Sequence, residues 1–302
     1  MSANDTMRWI DTHCHLDARE FGADAQVQRA LAASRGVAHC VLPSICVNNF
    51  EAVRALAYRN ADSYCLGITP MNVPYAADDA LSRLTETLQQ HHDDPRLMAI
   101  GEIGLDFFLP ELCKSPWRER QQEFFHTQLK LAREHDMPVV VHSRRSVDAI
   151  LKNLRDVAGP SGRWRGVVHA FNGSLQQAQA FIKLGMKLGF GGALTYERAK
   201  QLRSLAVNLP LEAIVLETDS PDMPPRWLYK SAEQRAAGEP QGINSPAELP
   251  RIGAELAALR GISPEALAIA TTQNAFEAFP RLRALLSAET ALNTARQVNE
   301  TT

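Results

Sequence analysis

Eight short apolar runs with strand-type composition recur along this chain and alternate with segments of helical periodicity. The runs span residues 9–12, 38–43, 64–69, 98–105, 138–142, 166–169, 187–191 and 214–218. Amphipathic helical segments include residues 24–35, 49–60, 117–135, 175–184 and 247–260. Strands that alternate with helices form a parallel sheet, and eight such units in roughly 250 residues predict an α/β protein with a (β/α)8 TIM barrel. A doubly wound open sheet is the alternative, but the Gly-x-Gly-x-x-Gly turn expected after its first strand is missing.

Two segments depart from this alternation. Residues 221–246 form a long predicted loop after the eighth strand, which would lie over the mouth of the barrel, where loops commonly select substrates. Residues 287–302 are small and polar, and we expect a C-terminal extension with frayed ends. The predicted organisation is therefore one barrel domain over residues 1–286, followed by this polar extension.

Composition limits the classes of protein to which this chain can belong. No apolar run is long enough to cross a bilayer, and residues 1–6 lack the apolar core of a signal peptide, so we expect a cytoplasmic protein that does not enter membranes. The five cysteines are scattered and contain no Cys-x-x-Cys pair, which argues against a disulfide framework and a structural zinc knot. The sequence does not determine the oligomeric state.

The charge is nearly balanced, with 32 Lys and Arg against 34 Asp and Glu. Proteins that hold nucleic acid mainly by neutralising many phosphates are usually strongly basic. Any nucleic-acid activity of this chain would therefore depend on a local site, with bound cations supplying much of the positive charge.

Residues of the types that commonly bind metal stand at the ends of five of the predicted strands. They are His13 and His15 after the first strand, Glu102 in the fourth, His142 in the fifth, His169 in the sixth and Asp219 after the eighth. Alternate residues of a strand share a face, so His13 and His15 should point together and Cys14 away. Taken singly, each residue has an ordinary structural explanation, such as a hydrogen-bonded histidine or, for Asp219, a helix N-cap.

Together the six residues form a more specific pattern. Four imidazoles and two carboxylates suit divalent zinc, manganese or magnesium. Because six ligands exceed one tetrahedral site, they predict two divalent ions that share a bridging carboxylate.

At the motif level the chain resembles the TatD family of metal-dependent hydrolases, the TatD-type deoxyribonucleases within the amidohydrolase-like barrels, and most of all its YjjV-type branch. The motifs that carry the resemblance are Asp-Thr-His-Cys-His-Leu-Asp at 11–17, Gly-Glu-Ile-Gly-Leu-Asp at 101–106, His-Ser-Arg at 142–144, His-Ala-Phe-Asn-Gly-Ser at 169–174, Glu-Thr-Asp-Ser-Pro at 217–221 and Ala-Thr-Thr-Gln-Asn-Ala at 270–275. The resemblance implies that His13, His15 and Asp219 bind one ion. It further implies that Glu102 bridges the ions and that His142 and His169 bind the second.

The resemblance also implies a function, namely cleavage of phosphodiester bonds in DNA or a nucleotide-like substrate, in the manner of a 3′–5′ exonuclease. We expect a metal-activated hydroxide as nucleophile, with Asp219 and Glu102 as catalytic residues. Arg144 could bind a substrate phosphate, because its planar guanidinium matches phosphate oxygens, or could form a salt bridge at the rim. Trp227, Tyr229 or Phe107 could stack on an unpaired terminal base.

Two departures from the family pattern leave alternatives open. Thr69 stands where the family usually has a histidine, and the loop after the eighth strand keeps only Asn244, Ser245 and Pro246 of a basic family motif. The same activated hydroxide attacks carbonyl carbon, so an ester or amide hydrolase, such as an aminoacyl-tRNA deacylase or a lactonase, is the second hypothesis. A non-catalytic scaffold is the third, but it predicts lost ligands, and all six are present.

Overall fold

The computed structural model describes residues 8–240 and 242–300, and in that part of the chain eight strands form one parallel sheet in the order β1 to β8. The strands are β1 Trp9–Asp11, β2 Val37–Pro43, β3 Ser63–Leu66, β4 Leu97–Asp106, β5 Val139–Arg144, β6 Gly166–Val168, β7 Lys187–Phe190 and β8 Ile214–Leu216. The amide of Thr12 donates to the carbonyl of Leu216 at 3.0 Å, which joins the end of β1 to β8 and closes the barrel. The predicted (β/α)8 barrel is confirmed.

In the described part of the chain, seven α-helices cover the outside of the sheet between successive strands, and four more follow β8. They are α1 Ala25–Ser34, α2 Phe50–Asn60, α3 Ala80–His91, α4 Trp117–Glu134, α5 Val147–Asp156, α6 Leu175–Lys183, α7 Lys200–Asn208, α8 Ala232–Ala236, α9 Leu249–Arg260, α10 Pro264–Ala278 and α11 Pro280–Glu300. Helix α9 lies so close to the sheet that a Cβ on Gly253 would collide with the ring of Trp9. No described helix is long and apolar enough to span a membrane.

Apolar side chains form two layers on either side of the sheet. The outer layer packs the strands against the helices and contains Cys14, which therefore points away from the barrel interior as predicted. The inner layer fills the barrel with residues such as Val41, Val140 and Val215. Phe279 lies between α10 and α11, and Leu282 lies in α11. Both close this inner layer at the end of the barrel where the strands begin, which we call the lower end.

Two segments differ from the sequence expectations. Helix α8 lies within the long loop after β8, and helix α11 runs across the predicted boundary at residue 286 into the polar extension. The division at that boundary stays a prediction. The N-terminal residues 1–6 and the last two residues of the extension lie outside the described part of the chain.

Candidate metal centre

The six predicted ligands lie together at the carboxyl ends of the strands. His13 and His15 follow β1, Glu102 lies in β4, His142 lies in β5, His169 directly follows β6 and Asp219 lies three residues beyond β8. His13, Glu102 and His169 are buried, and the other three are partly open to the mouth. Side chains at this end of a TIM barrel line its active site, so the fold places these six where barrel enzymes carry their chemistry.

One group of donor atoms surrounds the Oε2 oxygen of Glu102. His13 Nε2 and His15 Nε2 lie 3.1 Å apart, and each lies 3.6–3.7 Å from Glu102 Oε2. Asp219 Oδ1 lies 3.5 Å from His13 Nε2 and 3.8 Å from His15 Nε2. Ligand atoms bound ~2.0–2.2 Å from a tetrahedral ion would lie about 3.3–3.6 Å apart. The observed separations of 3.1–3.8 Å bracket this spacing, so the donors lie close to the arrangement that a divalent ion needs.

A second group of donors surrounds the other oxygen of the same carboxylate. Glu102 Oε1 lies 2.9 Å from both His142 Nδ1 and His169 Nε2, and these two nitrogens lie 3.2 Å apart. Glu102 Oε1 is nonetheless a buried oxygen that accepts no hydrogen bond of good geometry. A buried carboxylate with one oxygen in each of two groups of imidazoles fits the bridging ligand of a two-ion centre.

Burial and mutual charge govern the protonation of this cluster. Burial lowers the pKa of His13 far below its usual value, and the positive charge of His169, stacked 3.9 Å away, lowers it further. Burial also opposes charge on His169, but Glu102 and Asp219 outweigh it and raise the pKa of His169 to about 10. Burial alone would raise the pKa of Glu102, yet the surrounding imidazoles hold it well below its usual range. The Glu102 carboxylate is thus charged and available to cations.

Asp106 supports the second group and was not assigned a role from the sequence. Its Oδ1 accepts backbone hydrogen bonds from Phe108 at 2.8 Å and Leu109 at 3.0 Å, which fixes the carboxylate. Its Oδ2 lies 3.2 Å from His142 Nε2. A carboxylate accepts only, so Asp106 holds a proton on His142 Nε2, and Nδ1, which faces Glu102, is the nitrogen left to bind a cation. The sequence signal that could have indicated this role is the position of Asp106 in the Gly-Leu-Asp sequence at the end of β4.

Two further buried carboxylates hold the segments that carry the ligands. Asp11 accepts hydrogen bonds from the amide of Thr218 at 3.0 Å and from its hydroxyl at 2.6 Å, and burial raises the pKa of Asp11 to about 7. Glu217 accepts a hydrogen bond from the amide of Ala170, and burial raises the pKa of Glu217 to about 8. Only glycine fits beside Glu217, since a Cβ on Gly189 would collide with Oε2.

Arg144, the predicted substrate contact, lies at the end of β5 with half of its side chain exposed. Its Nη1 lies 4.0 Å from Asp106 Oδ2, and its guanidinium lies 3.7 Å above the ring of Phe108. The guanidinium of Arg145 lies 4.7 Å from the centroid of the same exposed ring. The salt bridge is long, so the guanidinium of Arg144 keeps donors for an anion at the mouth.

Thr69, which replaces the usual histidine of the family, has a structural partner. It is buried, precedes the short helix Pro70–Tyr75, and its hydroxyl accepts a hydrogen bond from Asn72 Nδ2 at 3.1 Å. This position therefore shapes the loop after β3 and supplies no imidazole to the site.

Comparison with known proteins agrees with these features. The model of the TatD related DNase family matches residues 10–280. The metal-dependent hydrolase YjjV of Escherichia coli (strain K12) is 38% identical over 273 residues, covering 90% of this chain and 98% of that protein. The deoxyribonuclease TATDN3 of Homo sapiens is 31% identical over 284 residues, covering 92% of this chain and 96% of that protein.

Comparison with solved structures indicates the same family. The crystal structure of YjjV, a TatD homologue from Escherichia coli K12, superposes with a TM-score of 0.79 at 36% identity, covering 91% of this chain and 98% of that one. The expected family, and with it the expectation of a hydrolase, is confirmed. This chain belongs to the TatD-related DNase family.

Proposed function

We propose that this protein is a divalent-metal-dependent hydrolase that cleaves phosphodiester bonds in DNA, acting from a 3′ end as an exonuclease. The observation that carries the proposal is the Glu102 carboxylate, with one oxygen facing His13 and His15 and the other facing His142 and His169. The name of TATDN3, a deoxyribonuclease, supports DNA as the substrate. The name of YjjV supports dependence on metal.

Two divalent ions would be held by the chain's own donors. His13, His15 and Asp219 would hold one, His142 and His169 the other, and Glu102 would bridge them. Four imidazoles favour zinc or manganese over magnesium by ligand softness. When bound, such ions lower the pKa of water toward neutrality and offset the negative charge of a phosphate.

Asp219 is the proposed proton acceptor. Its Oδ1 lies within 3.5–4.0 Å of nitrogens on His13, His15 and His169, so it faces the reacting centre from the β8 side. Burial raises its pKa above the usual value, which makes the carboxylate a stronger base than an exposed aspartate. Its backbone has φ 55°, a left-handed conformation that turns the chain at this point and aims the side chain inward.

Arg144 is the proposed phosphate contact, at the opposite side of the mouth. Its guanidinium would neutralise non-bridging oxygens, and the exposed ring of Phe108 beneath it holds the side chain in place. The net charge of −2 gives no general attraction to DNA. Binding would therefore depend on this local arginine and on the metal centre.

The proposal is tested with protein stripped of metal and reloaded with zinc, manganese or magnesium. We expect 3′-labelled single-stranded DNA and a simple phosphodiester to be cleaved. His142→Ala should lower the rate by more than about 100-fold, beyond the 10- to 100-fold typical of a residue that only supports a ligand. His92→Ala, an exposed histidine beside Asp93, is the control and should behave as wild type. Uncut substrates with every metal, or equal rates for wild type and His142→Ala, would contradict the proposal.

The second candidate is an ester or amide hydrolase that uses the same centre. Thr69 in place of a histidine favours it, because the rim that selects the substrate differs from the family pattern while all six ligands remain. Salt separates the two candidates. Phosphodiester cleavage of DNA should weaken linearly on a log-log plot against salt concentration, whereas turnover of an uncharged ester should not respond.

A further inference from the structure

A groove of about 590 Å³ lies between the segment after β7 and the loop after β8, the loop that follows Asp219. We call it the rim groove. Its lining includes Tyr196, Arg198, Met223, Pro224, Tyr229 and Arg235. None of the six candidate ligands lines it, so the rim groove is a separate site. Its volume lies within the range of small-molecule pockets, which is ~300–1,000 Å³.

Two tyrosine rings form the aromatic part of the rim groove. Tyr196 and Tyr229 meet edge to face, with centroids 6.0 Å apart and ring planes at 84°. The hydroxyl of Tyr196 donates to the carbonyl of Pro224 at 2.8 Å, which fixes that ring. Tyr229 remains 41% exposed. A rigid ring at right angles to an exposed one offers a flat ligand a face to stack on and an edge to contact.

The charged part of the rim groove is cationic. The Arg198 guanidinium lies 5.3 Å from the Tyr196 centroid and 6.0 Å from the Tyr229 centroid, and Arg235 lines the same space. Lys230, the next cation along the loop, is paired with Glu239 at 2.7 Å. The groove thus combines stacking surface with guanidinium groups, a combination that fits a base and its phosphate.

Contacts of the loop after β8 fix the position of the rim groove relative to the metal centre. Asn244 is buried, and its Nδ2 donates to the carbonyls of Thr218 and Asp222, each at 2.8 Å. The start of the loop therefore stays beside Asp219. The opposite wall is close as well, because a Cβ on Gly192 would collide with the carbonyl oxygen of Met223.

The other aromatic candidates for stacking already have partners. The Trp227 indole donates to Glu248 Oε2 at 2.7 Å, and Arg251 covers its ring at 4.0 Å. Arg118 covers the ring of Phe107 at 4.2 Å. Trp227 and Phe107 line grooves too, but a guanidinium lies within 4.2 Å of each ring, whereas Arg198 lies 6.0 Å from the centroid of the half-exposed Tyr229 ring.

We infer that the rim groove binds the base and adjacent phosphate of an unpaired terminal nucleotide of single-stranded DNA. The base stacks on Tyr229 against Tyr196, and Arg198 contacts the phosphate. This inference rests on the proposed function for its choice of ligand, but its test does not require cleavage.

Binding is measured by fluorescence anisotropy with a short single-stranded phosphorothioate DNA, which resists hydrolysis, and with versions that carry an abasic residue at each end in turn. Wild type should bind the intact 3′ end about 5- to 150-fold more tightly than the 3′-abasic one, the ratio that ~1–3 kcal/mol per stacked base gives. Tyr229→Ala should abolish that ratio, and Tyr229→Trp should restore it. Tyr58→Ala, a tyrosine of similar exposure on α2, should keep it.

A second arm tests the phosphate contact. Arg198→Gln should reduce the slope of log affinity against log salt by about 0.7, the value for one phosphate of a single strand. Arg165→Gln, an exposed arginine that pairs with Asp136, should leave the slope unchanged. Thermal unfolding of every variant confirms that it is folded.

Equal affinity of wild type for intact and abasic ends would overturn the inference, as would equal competition by a poly-glutamate peptide of matched charge. The two proposals fail separately. Cleavage without a base preference would contradict the inference about the rim groove and support the proposed nuclease activity. A Tyr229-dependent base preference without cleavage would support the inference and contradict the nuclease activity.

Discussion

Asp106 determines which nitrogen of His142 can bind a cation. Its Oδ1 is occupied by two backbone amides and its Oδ2 faces His142 Nε2. The side chain cannot rotate without losing both amide contacts. The imidazole is consequently held with its Nε2 proton toward Asp106 and with Nδ1 toward Glu102.

Asp106→Asn should therefore lower metal affinity by about 10- to 100-fold, the usual cost of losing such a support. The asparagine must keep its oxygen toward the backbone amides, so its NH2 group faces His142 Nε2. The imidazole would then carry its proton on Nδ1, where the cation should bind. Affinity is measured by competition with a chromophoric chelator, and Asp136→Asn, an exposed carboxylate, is the control. Unchanged affinity would contradict the orienting role of Asp106.

Sequence and structure agree best at residues that end an apolar strand. The predicted ligands could be chosen because a histidine or carboxylate after a buried run has no role in packing, and the structure brings all six together. Asp106, Asp11 and Glu217 could not be assigned in this way. Their partners, such as His142 and Thr218, lie on other strands, so pairing becomes visible only when the barrel closes.

At the level of elements, one buried side chain, that of Asn244, anchors the two ends of the loop after β8. Asn244 Nδ2 donates to two carbonyls of that loop, and its Oδ1 accepts from the amide of Ser245 at 3.0 Å. Loops of this length contain few apolar contacts of their own. The Asn244 side chain therefore joins the start of this loop to its end, while contacts such as that of Trp227 with Glu248 hold its middle.

Asn244→Ala should lower the free energy of unfolding by about 1–3 kcal/mol, because it leaves buried carbonyls without a donor. It should also speed proteolytic cutting between residues 223 and 243. Asn208→Ala is the matched control, since Asn208 is exposed on α7 and bonds only to Ser204. Urea unfolding and limited proteolysis provide the two readouts. A cutting rate equal to that of Asn208→Ala would show that other contacts hold the loop.

All eight predicted strands are present, with ends that differ by a few residues. Buried strands produce strong apolar runs, which explains this success. Helix α8 was not predicted because none of its residues is buried, and only the Ser231–Gln234 capping box marks it. Helix α11 was not predicted beyond residue 286 because its sequence there is small and polar, and a helix of that composition gives no apolar period.

On the scale of the whole molecule, His39 couples folding to pH. It is buried within β2, and its Nε2 lies 2.9 Å from the Ser63 hydroxyl. Burial first, and then the charges of Arg29 and Arg96, lower the pKa of His39 from 6.5 to about 3. Between these values the unfolded chain takes up a proton that the folded chain does not. Stability is therefore lost as pH falls below 6.5.

His39→Gln should remove this dependence. Urea unfolding at pH 6.5, 5.5 and 4.5 should show a wild-type free energy that falls by up to about 1.4 kcal/mol per pH unit more than that of the variant. Both proteins are measured without metal, so that the titration of the metal centre cancels in the difference. Parallel pH profiles for the two proteins would contradict the assignment.

The lower end of the barrel is sealed, and this has a kinetic consequence. Phe279 and Leu282 fill that end, and Arg281 ties α11 to the carbonyls of His92 and Leu97 at 2.8 and 3.2 Å. Entry and exit must then share the upper opening. In the proposed exonuclease, a released nucleotide would occupy the passage that the shortened strand needs for its next cut, so product should act as a competitive inhibitor, and turnover should depend on how quickly the passage clears.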